Sequence, residues 1–212
     1  HGGVQGYFLA KKRLFDSGHS NVEIINVDSK EGLMLFNQIN SSNEDFRSIK
    51  ITSKLLTNTK DWVVGCSVGR LIEMKGGKEV FSMSLKLLKN LPGPHNQENI
   101  CLAYAACKAI GVKSNMIKTA VKSYVGLTHR IQLVGIRHGV KYINDSKATN
   151  GDSASVALQT FKNIHWICGG EKKEGKLKNL ALNTKSVKKA YVIGENPIEF
   201  ATQLGFEPYE LC

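Results

Sequence analysis

The sequence predicts an α/β chain in two pieces joined near residue 128, the second a doubly wound, mostly parallel sheet. Three observations lead there. The 212 residues fall between one and two domains at ~150 residues each. Before residue 128, β-branched runs alternate with helical spacings and a Gly-Gly turn. Beyond it the pattern becomes a hairpin followed by strand–helix–strand–helix–strand, the order that builds a parallel sheet. The division is therefore 1–127 and 128–212.

Val4, Phe8, Leu14 and Phe15 recur at helical spacing and predict a first helix. Val22 to Val27 is a short β-branched strand ending in Asp28, and Leu33, Leu35, Phe36 and Ile39 predict a helix from about Lys30. Strands follow at Ser48–Thr52, Trp62–Val68, Arg70–Lys75 and Lys78–Met83, the last two joined by Gly76-Gly77 as a hairpin turn. Leu91-Pro-Gly-Pro94 breaks the chain before helices Gln97–Ile110 and Ser114–Tyr124, with Ser114 as a cap for the second. After Gly126-Leu-Thr-His-Arg130, strands Ile131–Ile136 and Val140–Ile143 flank Arg137-His-Gly139 as a hairpin. A helix from about Asn150 to Phe161, a strand Ile164–Cys168 and a weaker helical stretch near Leu177–Leu182 come next. A strand Ala190–Ile193, a helix Pro197–Leu204 and an extended Phe206–Leu211 complete the order.

Composition is that of an ordinary globular chain, 42% hydrophobic and 22% charged, which excludes disorder and low complexity. No apolar run approaches the ~18 residues of a membrane span. Five scattered cysteines without a C-x-x-C spacing exclude a zinc module and fit reduced thiols in the cytoplasm. The net charge of +11 favours anionic partners. The excess is spread along the chain, however. The densest stretch, Lys172–Lys178, is broken by Glu174 and lacks interleaved aromatic residues for base stacking. A soluble basic surface accounts for it.

Chemistry concentrates in Tyr142-Ile-Asn-Asp-Ser-Lys-Ala-Thr-Asn150, where a strand ends and a helix begins. Helix N-termini attract anions through free N–H groups, and Lys147 adds a charge for phosphate or carboxylate. Asp145 suits a ribose hydroxyl or a metal-bound water. Capping by Thr149, Asn150 or Ser153 explains one hydroxyl or amide. It does not require Asp145 and Lys147 together. Pro92-Gly-Pro-His-Asn-Gln-Glu-Asn99 places Asn96 and Asn99 three apart at a helix start, facing one ligand, or, as structure alone, Asn96 as the N-cap and Asn99 as an exposed first-turn residue. His129-Arg130 offers a guanidinium for phosphates, or simply a solvated charge. Cys168-Gly-Gly-Glu-Lys-Lys173 is a further strand end whose glycines allow close backbone approach, or a basic loop.

Together with Gly6-Tyr-Phe-Leu-Ala-Lys-Lys-Arg13 and Gly126-Leu-Thr-His-Arg130, these segments run in order through nearly the whole chain. In this the chain resembles the Mur ligases, with Asn144-Asp-Ser-Lys-Ala-Thr-Asn150 the most specific string. The resemblance implies the second half of a central ATPase domain (1–127) followed by a truncated C-terminal, amino-acid-binding domain (128–212). The family's P-loop, G-x-x-x-x-G-K-[ST], has no match in frame. These 212 residues on their own are therefore expected to be inactive.

The implied reaction is ATP-dependent amide formation in cell-wall synthesis, adding D-glutamate to UDP-N-acetylmuramoyl-L-alanine through an acyl phosphate. ATP and Mg²⁺ are the implied cofactors, and small molecules the partners of a cytoplasmic monomer, with neither nucleic acid nor membrane. By resemblance, Lys11 matches a lysine whose carbamate helps hold Mg²⁺. Asn96, Asn99, Arg130 and Asp145 match nucleotide contacts, Arg130 and Lys147 match active-site cations, and Thr149 and Lys173 match groups near the incoming glutamate.

The competing reading is a basic nucleic-acid- or nucleotide-binding module without ligase activity. Such a module would bind with steep salt dependence, and it offers no reason for a strand–Asn-Asp-Ser-Lys–helix turn. If the two pieces are separate domains, limited proteolysis cuts first between Gly126 and Ile131 and leaves a folded C-terminal piece. A first cut inside residues 131–204, read by mass spectrometry, would show the division to be wrong.

Overall fold

A computed structural model of the chain describes residues 3–15, 22–42, 47–54, 60–88, 90–170, 180, 185–205, 207 and 209–212. The chain forms two compact units, one of His1–Lys89 with His95–Tyr124 and the other of Asn90–Pro94 with Val125–Cys212.

In the first unit, β1 (Val22–Asn26), β2 (Arg47–Thr52), β3 (Trp62–Ser67), β4 (Arg70–Lys75) and β5 (Lys78–Ser84) pair in sequence order. The first three are parallel and the last three antiparallel. This split follows from the connections. Helix α2 (Lys30–Ser42) provides the long crossover that parallel β1 and β2 need, whereas Gly76-Gly77, at φ 59° and 79°, makes a tight turn between β4 and β5. Helix α1 (Gly3–Lys12) runs into a 3₁₀ turn, Arg13–Phe15, and buries no residue fully. Its Phe8, with Phe15, packs on the cluster of Ile25, Leu35, Phe36 and Ile39 that joins α2 to β1. Val4 and Leu14 face solvent, as does Leu33, which the spacing assigned to the core face of α2. At Gly32 a Cβ would lie 1.9 Å from the Asn26 carbonyl oxygen, so only glycine lets α2 start this close to β1.

Helices α3 (Pro94–Ala109) and α4 (Ser114–Ser123) complete this unit. They are tied to the sheet through a buried carboxylate. Glu73 of β4 is 3% exposed. Its Oε1 accepts from the Trp62 indole N–H at 2.9 Å, and its Oε2 accepts from the Tyr104 hydroxyl at 2.6 Å. The Ser114 hydroxyl lies 2.8 Å from that of Tyr104. Ser114 therefore does not cap α4, as its position suggested; the cap residue is Lys113, with no side-chain bond. The register between β4 and β5 shifts at Glu73/Met74, where Val80 is the extra residue, and Phe81 beside it stacks on Tyr104 at 5.6 Å.

In the second unit, β6 (Gln132–Arg137) and β7 (Val140–Asn144) form a two-stranded hairpin. Helix α5 (Gly151–Thr160) leads to β8 (Ile164–Gly169), β9 (Val187–Ile193), α6 (Pro197–Leu204) and β10 (Tyr209–Leu211). The last three strands form a parallel sheet in the order β10-β9-β8. Leu158 of α5, Leu204 of α6, Val187 and Leu180 form its core, with Trp166 and Cys168 packed against them. The helical stretch expected near 177–182 lies outside the described residues, Leu180 excepted. At Gly169 a Cβ would stand 1.8 Å from the Ile193 carbonyl oxygen, the close backbone approach that the Gly-Gly pair implied.

Tyr104→Phe leaves the buried Glu73 carboxylate one donor short. A loss of ~1–3 kcal/mol in urea unfolding is expected, since unmet burial costs more than a hydrogen bond yields. An unchanged midpoint would mean the network contributes nothing to stability.

Candidate functional site

The turn between β7 and α5 carries the most distinctive string of the sequence. As the sequence indicated, its strand pairs with β6 in a hairpin, and among the described residues it does not join the parallel sheet. The reason is local. His138-Gly139, at φ 49° and 79°, closes a two-residue turn whose twist suits an antiparallel hairpin. This turn is therefore not the end of a parallel-sheet strand, and its anion-attracting feature is the N-terminus of α5. Asn150 caps that helix, its Oδ1 accepting from the Ser153 N–H at 2.8 Å. Thr149 is exposed and precedes the cap, its N–H donating to the Lys147 carbonyl.

Two segments far apart in sequence meet here. The Ile131 N–H donates to Asp145 Oδ1 at 3.0 Å, and the Lys147 N–H donates to the His129 carbonyl at 3.1 Å. Arg130 is exposed between His129 (φ 64°) and Ile131 (φ 44°). Both neighbours hold the left-handed conformation, which costs a β-branched residue such as isoleucine ~1–3 kcal/mol. Ile131 is nonetheless buried, at 8% exposure. The structure therefore gathers Arg130, Asp145 and Lys147 around one pair of turns and gives Asp145 a structural duty that its motif did not disclose.

In the first unit, α3 starts at Pro94, three residues before the position its apolar spacing indicated. Proline suits the first helical position because it lacks an N–H that would go unpaired there. Asn96 thus lies within the first turn rather than at the cap, half-buried, with exposed Asn99 one turn along on the same side. Gln97, which no motif singles out, accepts from the Cys66 thiol through Oε1 at 3.0 Å. Asp28 at the end of β1 likewise has a role with no local signal in the sequence. Asp28 accepts from the Thr52 hydroxyl at 2.5 Å and from the Ser53 N–H at 2.6 Å. Burial opposes the Asp28 charge, but these hydrogen bonds and nearby Lys54 outweigh it and hold the carboxyl below its ordinary value. Glu98 in α3 is shifted the other way, by burial first and then by the charge of Asp28.

Lys11 is exposed on the last turn of α1, with its ammonium 5.4 Å from the Tyr7 ring centroid. Lys173 lies outside the described residues. All five cysteines are free thiols. Burial pushes Cys101 and Cys168 up to about 12, which keeps them protonated and poor nucleophiles. Among the described residues no three His, Cys, Asp or Glu side chains gather as a metal cage. No helix among them is long and apolar enough to cross a membrane. A shallow depression of about 500 Å³ on α4, lined by Asn115, Met116, Thr119 and Ala120, contains none of these site residues.

Residues 1–107 match the family described as Mur ligase middle domain, and residues 129–207 the one described as Mur ligase, glutamate ligase domain. UDP-N-acetylmuramoylalanine–D-glutamate ligases of Cereibacter sphaeroides and Roseobacter denitrificans are 44% identical over all 212 residues. The chain spans 46% of the length of each, about half of the curated relatives it matches. Two solved structures share the fold, each at a TM-score of 0.61. They are UDP-N-acetylmuramate-alanine ligase MurC of Thermotoga maritima (14% identity, 98% of this chain and 45% of that one) and MurF of Acinetobacter baumannii (15%, 99% and 46%).

The Asp28 shift has a pH signature. A carboxyl lowered in the folded state contributes stability that is fully present above its unfolded pKa and is lost as pH falls through the folded one. The stability difference between the wild-type chain and Asp28→Asn, from urea unfolding at a series of pH values, is expected to be full at neutral pH and to shrink in acid. A difference independent of pH would contradict the hydrogen-bond account.

Proposed function

Because the chain belongs to the Mur ligase family, we propose that it is the ATP- and amino-acid-handling part of an amide ligase. This ligase joins D-glutamate to UDP-N-acetylmuramoyl-L-alanine for peptidoglycan synthesis in the cytoplasm. In this reading residues 1–127 are the C-terminal part of the central ATP-binding domain, and residues 128–212 the amino-acid-binding domain.

The observation that carries the reading is the meeting of the Arg130 turn with the Asp145–Lys147 turn. A ligase of this kind turns a carboxylate into an acyl phosphate and then admits an amine. Negative charge gathers at each step, so fixed cations near the reacting groups lower the barrier. Arg130 presents a planar, always-charged fork suited to phosphate oxygens, and Lys147 a point charge on the adjacent turn. Asp145, with Oδ1 engaged by Ile131, keeps its second oxygen for a ribose hydroxyl. Asn96 and Asn99, on one side of α3, have the donors and acceptors that a purine edge requires. Each of these groups fits a part of an adenine nucleotide.

The described residues do not make a metal site by themselves, since no carboxylate cluster accompanies Lys11 among them, and no step here is routed through Mg²⁺. Lys11 as a carbamylated lysine, and Thr149 and Lys173 as contacts of the incoming D-glutamate, rest on their positions in the family's motifs. The basic-module alternative is less well supported, because a charge spread over both units gives no stripe for a polyanion.

Steady-state kinetics test the assignment in a ligase spanning the full length of the curated relatives, each substrate varied in turn. Arg130→Ala is expected to raise KM for ATP about ten- to a hundred-fold, the worth of one charge-assisted contact, with little change for D-glutamate. Lys173→Ala is expected to do the reverse. A raised KM for ATP in Lys173→Ala, with that for glutamate unchanged, would reassign Lys173 to the nucleotide.

A further inference from the structure

We propose that Asn144 and Gln132 are positioning residues that lock the turn His129-Arg130-Ile131 and thereby fix the direction of the Arg130 guanidinium.

Left-handed conformations at non-glycine residues persist only where the surroundings over-determine them. Here two flank a single exposed arginine, and one of them is at a buried isoleucine. Besides the Asp145 carboxylate, two side chains hold the turn. Gln132 Oε1 accepts from the His129 N–H at 2.9 Å. Asn144 works with both ends of its amide: Oδ1 accepts from the Ser146 N–H at 3.0 Å, which leaves Nδ2 to face His129 Nδ1 at 3.0 Å. In this bond the amide Nδ2 donates and the imidazole Nδ1 accepts.

The bond from Ser146 back to Asn144 is a local turn that any strand–helix junction can use. The second bond, to the His129 ring, is not needed for that turn. It ties the segment that carries Asp145 and Lys147 to the segment that carries Arg130. Asparagine fits because it offers a donor and an acceptor at once; Gln132 contributes only its oxygen. Neither residue is placed against substrate, so both act through the turn.

The role of Arg130 toward ATP rests on the function proposed above, so the test has two separable parts. In the 212-residue chain, hydrogen exchange of the Ile131 and Lys147 amides is expected to speed up at least ~ten-fold in Asn144→Ala and in Gln132→Ala. It should stay at the wild-type rate in Gln132→Glu, which keeps the accepting oxygen. In the longer ligase, each alanine variant is expected to raise KM for ATP about five- to ten-fold, with a fall in kcat no larger than that of Arg130→Ala, and to add almost nothing in an Arg130→Ala background. Wild-type exchange in both alanine variants overturns the proposal, and so does a full effect on KM when Arg130 is already absent. Accelerated exchange, with no effect of Arg130→Ala on ATP, upholds the locking of the turn and removes the nucleotide role of Arg130 instead.

Discussion

A carboxylate taken out of water must be met by donors, and the placement of Glu73 makes this the governing constraint of the first unit. Glu73 shares the inward face of β4 with Leu71, a position where an apolar residue would be ordinary. Its two oxygens are satisfied from β3 by Trp62 and from α3 by Tyr104, and the start of α4 joins through Ser114. Four elements are thereby fixed by groups that tolerate little movement, because a displaced donor strands a buried charge. Apolar packing around Ile49, Ile51 and Val64 supplies burial without direction. The hydrogen bonds supply the direction.

The second unit uses the same physics on a smaller scale. The backbone around Arg130 is strained at two residues, and the strain is offset by bonds from Asp145, Asn144 and Gln132. The outcome is a guanidinium held on a rigid turn at the surface. Three of the groups proposed to meet the nucleotide, Asn99, Arg130 and Lys147, are exposed. Asn99 lies near the start of α3, and Arg130 and Lys147 lie on turns. The holding is done elsewhere, by polar contacts among residues with no chemistry of their own. That division would suit the proposed ligase, in which cations must stand still while charge builds on the substrate.

Much of the architecture was legible because it is set by neighbours in sequence. Helix α6 begins and ends where Pro197 and Leu204 predicted, since proline starts it and Gly205, at φ 58°, stops it in the left-handed conformation. The hairpin turns at Gly76-Gly77 and His138-Gly139 were visible for the same reason. The misreadings fall where a residue has two plausible duties. Asn96 looked like a cap, but proline two residues earlier had already opened the helix. Ser114 also looked like a cap, but a buried tyrosine claimed its hydroxyl. Leu33 matched the helical spacing and still faces solvent, because the packed stripe of α2 runs through Leu35, Phe36 and Ile39.

By itself the sequence determined the alternation of strands and helices, the turn chemistry, and the string Asn144-Asp-Ser-Lys-Ala-Thr-Asn150 on which the resemblance mainly rests. Each of these is written in residues a few positions apart, where periodicity and backbone preference operate. Only the tertiary structure decided that Glu73 is buried and that Asp145 holds the Ile131 amide. Glu73 lies 31 residues from Tyr104, and Ile131 lies 14 from Asp145. Whether a carboxylate is stable inside, or has an oxygen left for a ligand, depends on donors brought to it across those distances by folding.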